Sequence, residues 1–81
     1  MRATVLVRPK AGILDPQGAA VETSLRHLGF AVTETRVGRV IDLEVDEADV
    51  ERARERVDAM CRQLLTNPLI ESYEIELREQ A

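Results

Sequence analysis

The stretch FAVTETRVGRVIDLEV, residues 30–45, changes the parity of its apolar positions partway along. Phe30 and Val32 fall on even positions, whereas Ile41, Leu43 and Val45 fall on odd ones. Side chains alternate across a strand with period two, so one flat strand cannot hold both sets on the same face. The break lies between Arg36 and Val40, and Gly38 is the residue there with the conformational freedom to make it. A tight hairpin or a bulge in one bent strand would each suffice. The hairpin is favoured, although the Asn-Gly pair of a two-residue turn is missing.

The segments on either side limit what this break can join. ATVLVR, residues 3–8, is short, rich in β-branched residues and stopped by Pro9, as a strand entering a loop should be. Asp15 and Pro16 then supply an N-cap and a first helical residue. Val21, Leu25 and Leu28 line one face of a helix over residues 16–28, which Gly29 ends as a C-terminal cap. Asp46, with Asp49 three residues later, opens a second helix. Val50, Ala53, Val57, Met60, Cys61, Leu64 and Leu65 form its apolar stripe, and Asn67 and Pro68 end it. IESYEIELRE, residues 70–79, alternates as a half-buried strand.

The order is therefore β-α-β-β-α-β, or β-α-β-α-β if Gly38 makes only a bulge. Both describe an α+β, ferredoxin-like domain spanning residues 1–81, with two helices packed on one face of a small mixed sheet. A chain of 81 residues buries only about 60–65% of the surface its unfolded form exposes. With a single cysteine it can form no intrachain disulfide, so self-association is expected to complete the core.

Gly18 raises a separate question. It sits at the third position of the first helix, where glycine costs roughly 1 kcal/mol relative to alanine in a helix interior. An anion approaches the helix N-terminus closely, a protein backbone packs against the bare turn, or the glycine is simply tolerated there.

Few residues offer chemistry. Cys61 lies inside the apolar stripe, and His27 falls off its helix's apolar face with no companion at metal-ligand spacing. Glu51 with Arg54 and Asp58 with Arg62 have the spacing of helical ion pairs on a solvated face. GILDPQG has too few glycines and no following lysine for a phosphate loop. No catalytic, cofactor-binding or metal-ligating residues are expected. The net charge of −4 and the two aromatics, Phe30 and Tyr73, argue against nucleic acid. MRATVLVRPK is too short and polar for a signal peptide, and no run approaches the roughly 18 apolar residues of a membrane span, so a soluble cytoplasmic chain is expected. RVGRV, residues 36–40, is either a basic contact for an acidic partner or phosphate, or an ordinary solvated turn.

GILDPQG at 12–18, LGF at 28–30, RVGRVIDLEV at 36–45 and MCRQLLTNPLIESYEIEL at 60–77 together resemble the PurS family, the small subunit of formylglycinamidine ribonucleotide synthase. Arg39, Phe30 and Thr66 are slight departures from its usual pattern. The resemblance implies a non-catalytic subunit that binds a glutaminase (PurQ-type) and a synthetase (PurL-type) and helps ammonia pass between them. It places ATP and magnesium in the synthetase and implies a homodimer or dimer of dimers. Asp15, Pro16, Gly18, Arg36, Gly38, Arg39, Asn67 and Pro68 are the candidate partner-docking residues. An ACT-type module that binds small molecules shares the strand order and is the alternative. An acylphosphatase-type hydrolase would need an anion-cradling loop that residues 9–15, PKAGILD, supply poorly.

Overall fold

A computed structural model describes residues 1–79. Strand β1 (Arg2–Pro9) lies at the centre of a three-stranded sheet, flanked by β2 (Arg39–Glu44) and β3 (Glu71–Arg78). Both neighbours run antiparallel to it, with Val5 opposite Ile41 on one side and Ile75 on the other. Helix α1 (Pro16–His27) separates β1 from β2. Helix α2 (Val50–Met60), extended by a π-helical turn over Cys61–Leu65, separates β2 from β3.

The order is thus β-α-β-α-β, and the sheet is antiparallel rather than mixed. The excursion through residues 10–38 leaves β1 at its C-terminal end and returns to that same end, because Arg39 pairs with Val7. A chain that goes out and back must run its next strand in the opposite direction. Residues 30–38 form no strand, so Gly38 makes neither the expected hairpin nor a bulge within a longer strand.

Ala3, Val5 and Val7 face α2, which covers them with Ala53, Val57 and Cys61. Ile41, Leu43, Tyr73, Ile75 and Leu77 pack around that centre. The apolar stripe of α2 advances in steps of four residues, through 53, 57 and 61 to Leu65. The amide of Thr66 bonds the Cys61 carbonyl at 3.0 Å, an i+5 closure that widens this last turn. Leu65 therefore packs on the core, whereas Leu64, expected in the stripe, is 83% exposed. The helix starts three residues later than the Asp46 reading places it. Asp49 is the N-cap, and its carboxylate accepts from the Glu51 amide.

Among the described residues no helix covers the other sheet face. Arg2 pairs with Glu44, Arg8 with Glu74, and the Thr4 hydroxyl donates to Asp42 at 2.8 Å. This is a solvated, cross-strand paired surface.

Helix α1 has the expected bounds: Asp15 caps its start, Leu28 closes its end, and Gly29 follows with φ 94°. It makes almost no contact with the sheet or with α2, so only one helix covers the sheet where two were expected. Val21 is 42%, Leu28 73% and Phe30 60% exposed. The molecule measures 48 × 30 × 14 Å, with a radius of gyration of 15.9 Å. A compact chain of this length would have about 12 Å. Among the described residues no helix is long and apolar enough to cross a membrane.

Candidate docking site

Three connections meet beyond the C-terminal end of β1: the loop 10–15, the returning segment 35–39 and the turn 65–71. Asp15 joins the first two. One of its carboxylate oxygens accepts from the Gly18 amide at 3.0 Å, closing the helix cap, and the other accepts from the Val37 amide at 2.8 Å. The Val37 N–H, then that of Gly18, hold the Asp15 carboxyl below its ordinary pKa, and the nearby Arg36 charge adds to this against a partial desolvation.

Gly18 lies beneath this crossing. A Cβ there would collide with the Thr35 carbonyl oxygen, so the backbone that Gly18 admits is the chain's own. Gly38 plays the matching part on the sheet side, where a Cβ would collide with the Val7 carbonyl oxygen. The parity change in the sequence therefore marks the point at which the returning segment presses onto β1.

Arg36 and Arg39 both turn inward. The Arg36 guanidinium donates to the carbonyls of Lys10 at 2.7 Å and Ile13 at 2.9 Å, which pins the loop 10–13. Arg39 spans both carboxylate oxygens of Glu71 and the Leu65 carbonyl, tying β2 to the turn before β3. That bidentate pair, with the Asn67 amide donating to Glu71 at 2.7 Å, lowers the Glu71 pKa and raises that of Arg39. Asn67 shapes the turn itself, its side-chain oxygen accepting from the Leu69 amide at 3.1 Å, and Pro68 follows on the surface. The Lys10 amide closes the assembly by donating to the Ile70 carbonyl at 2.9 Å.

Of the eight residues singled out in the sequence, Asp15, Gly38 and Arg39 line a hollow of about 220 Å³ at this end of the molecule, and the others belong to the three connections that surround it. The sequence reading missed the exposed apolar residues here: Leu14, 92% exposed, and Ile70, 42%, line the hollow, and Leu69, 84% exposed, lies in the adjoining turn. The available signal was the pair Leu69-Ile70 inside a turn, where polar residues usually serve. Glu71 was also missed, because its partner Arg39 lies 32 positions away and no local spacing joins them.

Elsewhere, Cys61 is fully buried, and burial followed by the nearby Asp58 charge pushes its thiol pKa up, away from the thiolate a nucleophile needs. Among the described residues no group of three or more His, Cys, Asp or Glu side chains is placed to hold a metal ion.

What fold and site define is a small α+β subunit with a projecting helical arm and a polar-cored, apolar-rimmed end. Residues 2–79 match the family PurS, phosphoribosylformylglycinamidine (FGAM) synthase. Among its relatives, the phosphoribosylformylglycinamidine synthase subunit PurS of Methanocaldococcus jannaschii is 37% identical over 96% of this chain and 95% of its own. The crystal structure of M. jannaschii PurS superposes with a TM-score of 0.87 over 99% of this chain and 98% of that one. A chain of the PurLQS structure from Thermotoga maritima is 36% identical, with a TM-score of 0.84 over 93% of each. The chain belongs to the PurS family of FGAM synthase subunits.

Proposed function

We propose that this chain is the non-catalytic subunit that holds a PurQ-type glutaminase and a PurL-type synthetase together, in the cytoplasm, while FGAR, glutamine and ATP become FGAM, glutamate, ADP and phosphate. The observation that carries this reading is the full-length likeness to a chain of the T. maritima PurLQS structure. The chemistry of such a reaction explains why a subunit of this kind is useful. Ammonia released at one site escapes or is protonated unless the consuming site is held nearby. ATP and magnesium belong to the synthetase in this scheme.

The bare surfaces support an assembly role. The arm exposes Val21, Leu28 and Phe30, and a second copy covering them would give a homodimer or a dimer of dimers. The end built by Asp15, Pro16, Gly18, Arg36, Gly38, Arg39, Asn67 and Pro68 serves as a rigid docking platform. Its internal hydrogen bonds hold the rim of Leu14, Leu69 and Ile70 in place.

Mixing the chain with purified synthetase and glutaminase, then measuring the mass of the product with and without glutamine and nucleotide, tests this directly. A ternary assembly is expected. Glutamine-dependent synthesis should need the chain, and ammonia-dependent synthesis should need it much less. Leu14→Glu with Leu69→Glu should leave the chain folded and weaken assembly at least tenfold. Failure of the parent chain to join either enzyme overturns the proposal.

A further inference from the structure

The register of the sheet shows which backbone groups of β3 are unused. Lys10 donates across the strand pair to Ile70, the residue directly opposite it, so even-numbered residues form the hydrogen-bonded pairs of β1 with β3. The N–H and C=O groups of Tyr73, Ile75 and Leu77 therefore point away from β1, along an open edge. The Ile75 carbonyl confirms the direction, because the Arg54 side chain of α2 reaches it from outside at 3.3 Å. A groove of about 570 Å³ runs along this edge between β3 and α2.

The α2 wall of the groove is acidic. Glu51 and Glu55 of α2 line one wall, and Glu76 projects from the other face of β3. Among the described residues these three carboxylates make no ion pair, whereas Asp58 is held by Tyr73 and Arg62, and Glu74 by Arg8. A second copy offering the same edge, paired about Ile75, would set Glu74 against Glu76 twice. Like charges opposed across a strand pair are destabilising, so self-pairing is disfavoured here.

We propose that the free edge of β3 receives an extended, basic segment of one of the two enzyme subunits as a fourth strand. The added strand takes the amides and carbonyls of residues 73, 75 and 77, and its Lys or Arg side chains meet Glu51, Glu55 and Glu76. Arg54 acts as a removable cover that occupies the Ile75 carbonyl until the partner arrives. The inference rests on the assembly role proposed above and adds the mode of docking and the chemistry of the partner.

The experiment uses the full chain with purified synthetase and glutaminase, each offered separately, and reads backbone amide exchange residue by residue. In the free chain the amides of Tyr73, Ile75 and Leu77 should exchange fast. In complex with one of the enzymes they should slow at least tenfold. Glu51→Lys with Glu55→Lys should weaken that complex at least tenfold at low salt and less at high salt, while Arg54→Gln should tighten it. A complex that leaves these three amides fast, or is indifferent to the charge reversal, overturns the inference and leaves the assembly role standing. Amides already slow in the chain alone would show a second copy on this edge and also overturn it. No complex with either enzyme overturns both readings.

Discussion

Residues 10–38 and the remainder of the chain contain similar apolar residues at similar periodicity, and the structure treats them in opposite ways. In the body, Val5, Val7, Val57 and Cys61 are each buried to within 2% of their surface between the sheet and α2. In the arm, Val21, Leu28 and Phe30 are exposed, and α1 is tied to the body at its root, by Asp15, Arg36 and the contact of Gly18 with Thr35. A helix can thus be well specified locally, by cap, proline and terminal glycine, without its own chain covering it. The body shows what this sequence stabilises alone, and the arm shows what it leaves uncovered.

The contrast is open to direct attack, and the largest effect should come from the body. Val57→Asp places a carboxylate in a fully buried position, at a cost of several kcal/mol, comparable to the roughly 5 kcal/mol stability of a small domain. Chemical denaturation should show no cooperative transition. Carboxylates on the arm should act differently. Val21→Asp with Leu28→Asp should keep the circular dichroism of the folded chain while removing about 3 kcal/mol or more of association, over a hundredfold in Kd. Sedimentation equilibrium should then find a folded monomer, and an unaltered oligomer would show that the arm is not what the copies share.

The smallest effect concerns the root of the arm. The folded pKa of Asp15 lies below its ordinary value of 3.8, chiefly through the Val37 amide, so the carboxylate stabilises the crossing above that value. That contribution is lost as pH falls through the lower, folded pKa. Carbon-13 titration of the Asp15 carboxyl should give a midpoint below 3.8. Below it, the Val37 and Gly18 amides should exchange faster than intrinsic chemistry alone predicts. A midpoint at or above the ordinary value would mean that Asp15 does not hold the two segments together.

How far the fold was legible follows from where each determinant lies. The bounds of α1, the alternation of β3 and the burial of Cys61 depend on neighbours within a turn or two and could be read directly. The cap at Asp49 was misplaced to Asp46 because two aspartates three apart both satisfy the same local pattern. Leu64 was misassigned because a π-helical closure changes the phase of a stripe without changing its composition. The strand expected at residues 30–38 and the packing of α1 failed for a different reason. Their apolar pattern describes a surface to be covered, and nothing in a single chain states which molecule covers it. The candidate docking residues were conspicuous as a set of irregularities, two glycines, a capped turn and two arginines. Their convergence at one end depends on pairings such as Arg39 with Glu71, which only the register brings together.

The central position of β1 also orders events in time. Strand β1 must wait for residues 39–44 before it has one neighbour, and for residues 71–78 before it has the other. Pairings so distant in sequence make closure of the sheet slow compared with local structure. On the ribosome α1 can coil early from its own caps, while ATVLVR stays an unpaired, aggregation-prone strand until residues 39–44 emerge, and keeps one open side until residues 71–78 follow. Truncation ahead of β3 would therefore leave one whole side of the central strand unpaired.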